Sequence, residues 1–336
     1  MKYLTLFFLI LVSCSKETKF AKAELLPTEI DSLQTNAQIE QYIGRHDTLY
    51  HKFILKRVQD ITCISCDSAL KNLATRLKVN YSYIKADLDN NGYTDLVVTG
   101  VNRTYTSANT HPDMLVEWSR DFNAFVLMNF GAGNVKLHDL TDGLWYGLVP
   151  KVETINSQPT LVVYKPPMKK GITGPGKPET RTVLRYAFGD FVEYNSAPPV
   201  FSIEEIEYAT TGCMGECPIF KLSMEQNSKA TFKAEYYNYT KPWQQGELLN
   251  GTYKTTLKEA DYTQIKTLLN YLDFPHLQDN YNVSWTDDQS AVLKITYNGG
   301  KVKTITDYGV QGTYGLRYLH RILYALRLNQ DWNQVK

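Results

Sequence analysis

The sequence predicts an α+β protein of two domains. We expect an N-terminal domain of mostly antiparallel β-structure with one or two helices, followed by a C-terminal β-β-α-β-β-α two-layer sandwich. Three observations predict this. The 336 residues are enough for about two domains of ~150 residues each. From about residue 80 onward, apolar residues alternate with polar ones over many short stretches. The 24 tyrosines suit strands with one wet face.

The composition excludes several classes of protein. Hydrophobic residues make up 43% of the chain and charged residues 21%, which is typical of a globular protein and rules out a mostly disordered chain. The 36 Lys and Arg nearly balance the 35 Asp and Glu. A nucleic-acid-binding protein needs a basic surface, so we expect no nucleic-acid partner. The mean hydropathy of −0.35 argues against a polytopic membrane protein.

The N-terminus has the pattern of a signal peptide, which we assign to residues 1–13. Lys2 precedes an apolar run over 4–12 that is too short to cross a bilayer but fits a signal-peptide core. The run ends in Leu-Val-Ser-Cys at 11–14, which resembles the bacterial lipobox. The resemblance implies cleavage before Cys14 and acylation of that residue. Two or three acyl chains would anchor the protein stably to the lipid bilayer. The alternative is an ordinary secretory signal with a chance cysteine.

Residues 14–30 form a predicted flexible tether, because they are polar, with scattered Lys and Glu and no clear period. Ser15 follows the cysteine, where Asp would favour retention in the inner membrane. We therefore expect a lipid-anchored protein of the bacterial cell envelope, at the outer membrane.

The N-terminal domain is assigned to residues 31–196. Thr35 and Gln38 form a capping box for a first helix, and leucines at helical spacing predict a second helix over 66–77. Period-two patterns predict strands over 81–88, 95–100, 114–118, 124–130, 160–164, 183–188 and 191–194. Residues 166–178 are rich in Pro and Gly, which predicts a loop. A Ser-Ala-Pro-Pro linker at 196–199 ends the domain.

The C-terminal domain is assigned to residues 201–336. Thr256 with Glu259 predicts a capped helix, and Thr313 predicts the start of a last helix. Strands are predicted over 220–224, 230–236, 292–297 and 301–307. The sequence Asn-Gly-Gly at 298–300 is a strong hairpin signal. This order of elements predicts helices packed on one face of an antiparallel sheet.

The segment 87–95 has the pattern of a calcium-binding loop. Acidic or amide side chains stand at alternate positions before Gly92, where a tight loop needs a positive φ. Ca²⁺ prefers six to eight oxygen ligands, which such a loop supplies. The candidate ligands are the side chains of Asp87, Asp89, Asn91 and Asp95 and the carbonyl of Tyr93.

The segment departs from the EF-hand in two respects: Val98 occupies the position of the bidentate Glu, and a predicted strand follows instead of a helix. In both respects it resembles the calcium loops of FG-GAP and VCBS β-propeller repeats. The resemblance covers about a dozen residues and implies the loop, not a propeller. The alternative is a plain hairpin turn at Asn-Asn-Gly without metal.

Beyond Cys14 the chain has four cysteines, spaced Cys63-x-x-Cys66 and Cys213-x-x-x-Cys217. An even number in an exported protein favours two disulfides, and local pairing keeps each within one domain. An alternative remains for the first pair. A C-x-x-C before a helix is also the arrangement of thiol redox proteins, and it resembles heavy-metal-associated transport domains. A thiol redox or soft-metal function through Cys63 and Cys66 is therefore the second hypothesis.

The second pair carries a further resemblance. The segment Gly-Cys-Met-Gly-Glu-Cys-Pro at 212–218, followed by strands and two helices, resembles the bacterial domain-of-unknown-function family 6438 over about 201–333. The resemblance implies a small α+β domain of envelope proteins and assigns no reaction to it.

The sequence contains no G-x-S-x-G, P-loop, G-x-G-x-x-G or H-E-x-x-H motif. We therefore expect a binding or scaffolding protein more than an enzyme, with an envelope protein or a glycan as partner and calcium in a structural role.

Overall fold

The computed structural model describes residues 25–61, 68–102, 122–142, 147–168, 176–241 and 245–335. These residues are mostly β-structure with a few helices, which confirms the predicted α+β class. The helices are α1 (Glu29–Ser32), α2 (Asn36–His46), α3 (Ser68–Arg76), α4 (Glu259–Tyr271) and α5 (Tyr314–Asn329). None of the helices in the described ranges has the length and apolar character needed to cross a bilayer.

The strands of the N-terminal region form two antiparallel sheets. The first sheet contains β1 (Phe53–Leu55), β2 (Tyr83–Ala86), β3 (Asp95–Asn102), β4 (Phe122–Asn129) and β5 (Val135–Asp139). Its order is β1-β3-β4-β5, and β2 pairs with the same edge of β3 as β1. The second sheet is a meander of β6 (Val149–Ile155), β7 (Gln158–Lys165), β8 (Thr180–Ala187) and β9 (Asp190–Glu193).

The first sheet is covered on both faces, which explains why β3 is buried along almost its whole length. Leu96 and Val98 face a core built with α1, α2 and the segments that follow them. Val97 and Val101 face the opposite way, toward α3 and the second sheet. Since alternate residues of a strand point to opposite faces, a strand between two cores needs apolar residues on both of its faces.

The C-terminal region forms a larger sheet. Its strands are β10 (Ile203–Thr210), β11 (Ile219–Glu225), β12 (Lys229–Tyr236), β15 (Gly251–Thr256), β16 (Asn280–Asn282), β17 (Ser290–Tyr297), β18 (Lys301–Tyr308) and β19 (Asn333–Gln334). Their order is β16-β18-β17-β10-β11-β12-β15-β19. A separate hairpin joins β13 (Tyr239–Lys241) to β14 (Gln245–Leu248). Apolar residues of α4 and α5 share one core with apolar residues of the large sheet.

Two helices begin where local capping signals in the sequence predict. The Thr35 side chain accepts a hydrogen bond from the backbone N–H of Gln38 and caps α2. Thr313 caps α5 in the same way. The capping box predicted at Thr256 is absent: Lys258 is the N-cap of α4, without a side-chain cap, and Thr256 pairs with Lys229 in the sheet.

The N-terminal and C-terminal regions contact each other across the predicted linker. Val192 belongs to the core of the C-terminal region, and Tyr314 belongs to a core of the N-terminal region. Glu193 accepts hydrogen bonds from the first two backbone N–H groups of α5, at Tyr314 (2.6 Å) and Gly315 (2.9 Å). The folded part also begins before the predicted boundary at residue 31, because Ile30 is completely buried.

Candidate metal centre

The candidate calcium loop connects β2 to β3, and its backbone is folded around the Asp87 carboxylate. One oxygen of Asp87 accepts from the N–H of Asn91 (3.0 Å) and the other from the N–H of Gly92 (2.9 Å). Two residues have a positive φ, Asn90 at 60° and Gly92 at 86°. Asn and Gly tolerate this conformation best, which explains their presence at these two positions.

The next two side chains close the loop further. Asp89 accepts from the backbone N–H of Asn91 (3.3 Å) and from the Asn91 amide (3.1 Å). The Asn91 side-chain oxygen accepts from the N–H of Tyr93 at 2.7 Å. Each oxygen acceptor here has a second lone pair, so these bonds leave capacity for a cation.

Asp95 is the first residue of β3 and is completely buried. Its two oxygens accept from the N–H of Leu88 (2.8 Å) and of Asn129 (2.8 Å). The first bond closes the loop on itself, and the second joins it to the end of β4. A buried carboxylate is costly unless it is paired or bound to a metal.

Three carboxylates converge at this place. Asp87, Asp89 and Asp95 each present an oxygen, and these oxygens all lie within 4.8 Å of one another. Burial, and then the neighbouring charge of Asp87, raises the pKa of Asp89 to about 6. Burial raises the pKa of Asp95 to about 8, with smaller contributions from the charges of Asp89 and Asp87. Without a cation, the cluster therefore holds a proton near neutral pH.

The donor set fits calcium chemically. Its candidate protein ligands are all oxygen atoms, and the clustered carboxylates repel one another unless a proton or a cation separates them. The structure thus brings together the three predicted acidic ligands. It also places Asn91 beside Asp89, while the Asn91 amide donates to the carbonyl of Asn129 (2.9 Å).

Asn129 supports the loop and was missed by sequence reasoning. It is buried, and its amide donates to the carbonyl of Thr94 (3.2 Å) and to the hydroxyl of Thr28 (3.1 Å). Its side-chain oxygen accepts from the N–H of Gly131 at 3.0 Å. A single Asn before a glycine-containing turn resembles an ordinary turn residue, so its sequence context carries no signal for this role.

Two further contacts fix the surroundings of the loop. The backbone N–H of Leu26 donates to the carbonyl of Gly92 at 2.8 Å, so the last part of the predicted tether contacts the loop. The Tyr93 ring packs against Gly131, where a Cβ atom would lie 2.4 Å from the ring. Gly131 is needed there for this close approach and for its φ of 75°.

The predicted cysteine sites lie elsewhere. Cys213 and Cys217 form a disulfide in the structure, with sulfurs 1.97 Å apart and Cα atoms 5.7 Å apart. The predicted lipidation site Cys14 and the pair Cys63 and Cys66 lie outside the described residues. Acylation, a second disulfide and the alternative thiol or soft-metal function therefore stay predictions.

The fold and the site together define an α+β protein with an acidic, oxygen-rich turn in its N-terminal region. Residues 204–327 form a DUF6438 domain, a family described as "Domain of unknown function (DUF6438)". This match lies within the segment predicted from the cysteine motif and includes the disulfide, while the acidic turn lies outside it. No curated protein and no solved structure matches the chain.

Proposed function

We propose that this protein is a calcium-stabilised, lipid-anchored protein of the bacterial cell envelope that acts by binding or scaffolding. The observation that carries the calcium part is the convergence of three carboxylates, one of them completely buried, on a loop with calcium-binding spacing. A buried group of like charges is unfavourable by itself and becomes favourable when a divalent cation binds.

The surroundings of the loop favour a structural role for the ion. The loop hydrogen-bonds to the end of β4 through Asn129 and to the start of the folded chain through Leu26. An ion at Asp87, Asp89 and Asp95 would hold these parts together, close to the point where the predicted tether ends. Calcium is abundant outside the cytoplasm, where a lipid anchor at Cys14 would place the domain.

A thermal melt in calcium and in chelator tests this proposal. The site has three carboxylates and no bidentate Glu, so we expect a Kd on the order of 10⁻⁴–10⁻³ M, as in extracellular modules. At ten times Kd the stabilisation is about 1.4 kcal/mol, or a few degrees in Tm. Magnesium should do much less, because it requires strict octahedral geometry and gives up its water reluctantly.

Two variants make the melt specific. Asp89→Ala should lose the calcium-dependent shift. Asp331→Ala removes an exposed Asp far along the sequence from the loop and should keep it. The absence of a shift in the wild-type protein, or an equal shift in Asp89→Ala, would mean that the loop is a hairpin turn without metal.

A further inference from the structure

A cleft of about 310 Å³ lies directly beside the acidic loop. One wall is formed by Leu88, Asp89 and Asn90 of the loop. The other walls come from the second sheet: the turn between β6 and β7, part of β8, and Tyr194 just after β9. Its volume is within the range of small-molecule sites, which are about 300–1,000 Å³.

The lining of the cleft combines apolar and polar groups. Leu88, Ile155 and Leu184 supply apolar surface, and amide side chains come from Asn156 on the β6–β7 turn and Gln158 at the start of β7. Tyr194 adds an aromatic ring that is 37% exposed. A ligand that fits has an apolar face and several hydroxyl groups, as a pyranose sugar has.

Arg185 indicates that the ligand is an anion. It lines the cleft from β8 and is exposed, and it makes no ion pair within the described part of the chain. By contrast, Arg181 on the same strand pairs with Glu153 at 2.7 Å. A guanidinium without a partner in a cleft is suited to bind a carboxylate through two parallel hydrogen bonds.

The acidic loop opposes an anion in the same cleft unless its charge is neutralised. Asp89 lies in the cleft wall and is one of the three converging carboxylates. Calcium bound at this cluster would reduce the net negative charge of the three carboxylates. Binding of an anion beside Asp89 should therefore be stronger when calcium is bound.

We propose that this cleft binds a hexuronate, the carboxylate-bearing sugar unit of acidic glycans, and that calcium strengthens this binding. The sugar carboxylate pairs with Arg185, the apolar sugar face stacks on Tyr194, and hydroxyl groups bond to the Asn156 and Gln158 amides. This inference rests on the proposed calcium site and names the class of ligand that the protein holds. The ligand is bound without chemical change.

Titration of the folded protein with D-glucuronate, followed by NMR or calorimetry, tests the inference. A ligand of this size binds with a Kd on the order of 1 mM at usual ligand efficiency. We expect binding in calcium, at least about fivefold weaker binding in chelator, and no measurable binding of D-glucose, which lacks the carboxylate. Acetate carries the charge without the sugar and should bind at least about tenfold more weakly than glucuronate.

Paired variants test whether glucuronate binds in this cleft. Arg185→Gln should weaken glucuronate binding at least about tenfold, since it removes a charge-assisted pair. Arg181→Gln changes the net charge equally on the same strand and should bind as the wild type does. Tyr194→Phe keeps the ring and should retain binding, whereas Tyr194→Ala should lose it; Tyr236→Ala removes an exposed tyrosine elsewhere and is the control.

Calcium affinity is measured first in each variant, so the two proposals can fail separately. Normal calcium binding without glucuronate binding overturns the cleft inference and leaves the calcium site intact. No calcium binding overturns the calcium proposal and the coupling with it. Equal glucuronate affinity in calcium and chelator, or equal loss in Arg185→Gln and Arg181→Gln, also overturns the inference.

Discussion

The Asp95 carboxylate accepts a hydrogen bond from the backbone N–H of Asn129, 2.8 Å away, across the boundary between the acidic loop and the end of β4. Both residues are buried, and Asn129 in turn bonds to Thr28 near the start of the folded chain. Three stretches that are far apart in the sequence are therefore joined through Asp95 and Asn129. A change in the charge of the Asp95 carboxylate should therefore affect all three stretches.

Calcium binding should release a proton. With the pKa of Asp95 raised to about 8 and that of Asp89 to about 6, the calcium-free folded protein holds protons that the unfolded chain has lost. Its stability in chelator should therefore fall as the pH rises from about 4 to 8, since the folded state binds more protons than the unfolded state. At pH 7, calcium should displace about one proton, and at pH 9 almost none.

Calorimetry in two buffers with different ionisation enthalpies measures this proton release. The apparent calcium affinity should also rise by up to about tenfold per pH unit between pH 6 and 8. A binding enthalpy that is independent of the buffer at pH 7 would contradict the raised pKa of Asp95.

His138 should make the protein sensitive to acid. It contacts Asp190 at 3.0 Å, but burial, and then the charges of Arg321 and Lys136, lower the pKa of His138 to about 4. Arg321 also pairs with Asp190, so that carboxylate is already neutralised. Because the folded-state pKa lies below the unfolded value, stability should be unaffected above pH 6.5 and should fall as the pH drops toward 4.

The expected loss from His138 is about 2 kcal/mol between pH 7.5 and pH 5. Denaturant unfolding in excess calcium, at both pH values, measures it. His138→Asn keeps an amide in reach of Asp190 and should reduce the pH dependence by about this amount. His276→Asn alters an exposed histidine and serves as the control. Equal pH dependence in wild type and His138→Asn would refute the assignment.

Glu193 should stabilise the contact between the N-terminal and C-terminal regions. Its carboxylate accepts from the N–H groups of Tyr314 and Gly315, in the first turn of α5. A negative charge is also favourable at a helix N-terminus. Glu193→Gln should lower the unfolding free energy by about 1–3 kcal/mol, because one N–H would face an amide donor. Glu216→Gln, at an exposed position, removes the same charge and should have little effect; equal melting curves would contradict the capping role.

The Cys213–Cys217 disulfide should contribute modest stability. The loop that it closes is short, so the chain-entropy contribution is at most about 2 kcal/mol. Replacing both cysteines by Ser should lower the free energy of unfolding by no more than this amount, with a corresponding fall in Tm. Peptide mapping without reductant should recover the two residues in one cross-linked segment. A link from either residue to Cys63 or Cys66 would contradict the pairing.

Cys14 should carry lipid in cells. Metabolic labelling with palmitate should mark the wild-type protein and a Cys217→Ser control, and the label should be absent from Cys14→Ala. Label that persists in Cys14→Ala would show that the Leu-Val-Ser-Cys segment is not a lipobox.

Much of the fold could be predicted because its signals are local. The capping box at Thr35 and the hairpin at 298–300 each depend on a few neighbouring residues, and both are present. Strand β10 was missed because a register shift between Ile203 and Glu205 interrupts its alternation. The capping signal at Thr256 was overridden, since that residue pairs with Lys229 in the sheet. Long-range strand pairing determines the secondary structure at such positions, and local residue spacing does not predict that pairing.

The candidate site likewise has one part that the sequence predicts and another that depends on long-range packing. The spacing of Asp87, Asp89 and Asp95 is a local signal, and the structure brings these three carboxylates together. Asn129 and Arg185 come from other strands, so their positions beside the loop depend on how β4 and the second sheet pack. Neither residue lies in a recognisable motif, and tertiary packing alone places them there.

Direct titration of calcium into the chelator-treated protein tests the central claim. Calorimetry at pH 7 should show one site per chain with a Kd of about 10⁻⁴–10⁻³ M. Asp89→Asn should bind at least about tenfold more weakly, since a charged ligand becomes a neutral one. Asp331→Asn should bind as the wild type does. No heat of binding in the wild-type protein, or equal affinity in Asp89→Asn, would contradict a calcium site at residues 87–95.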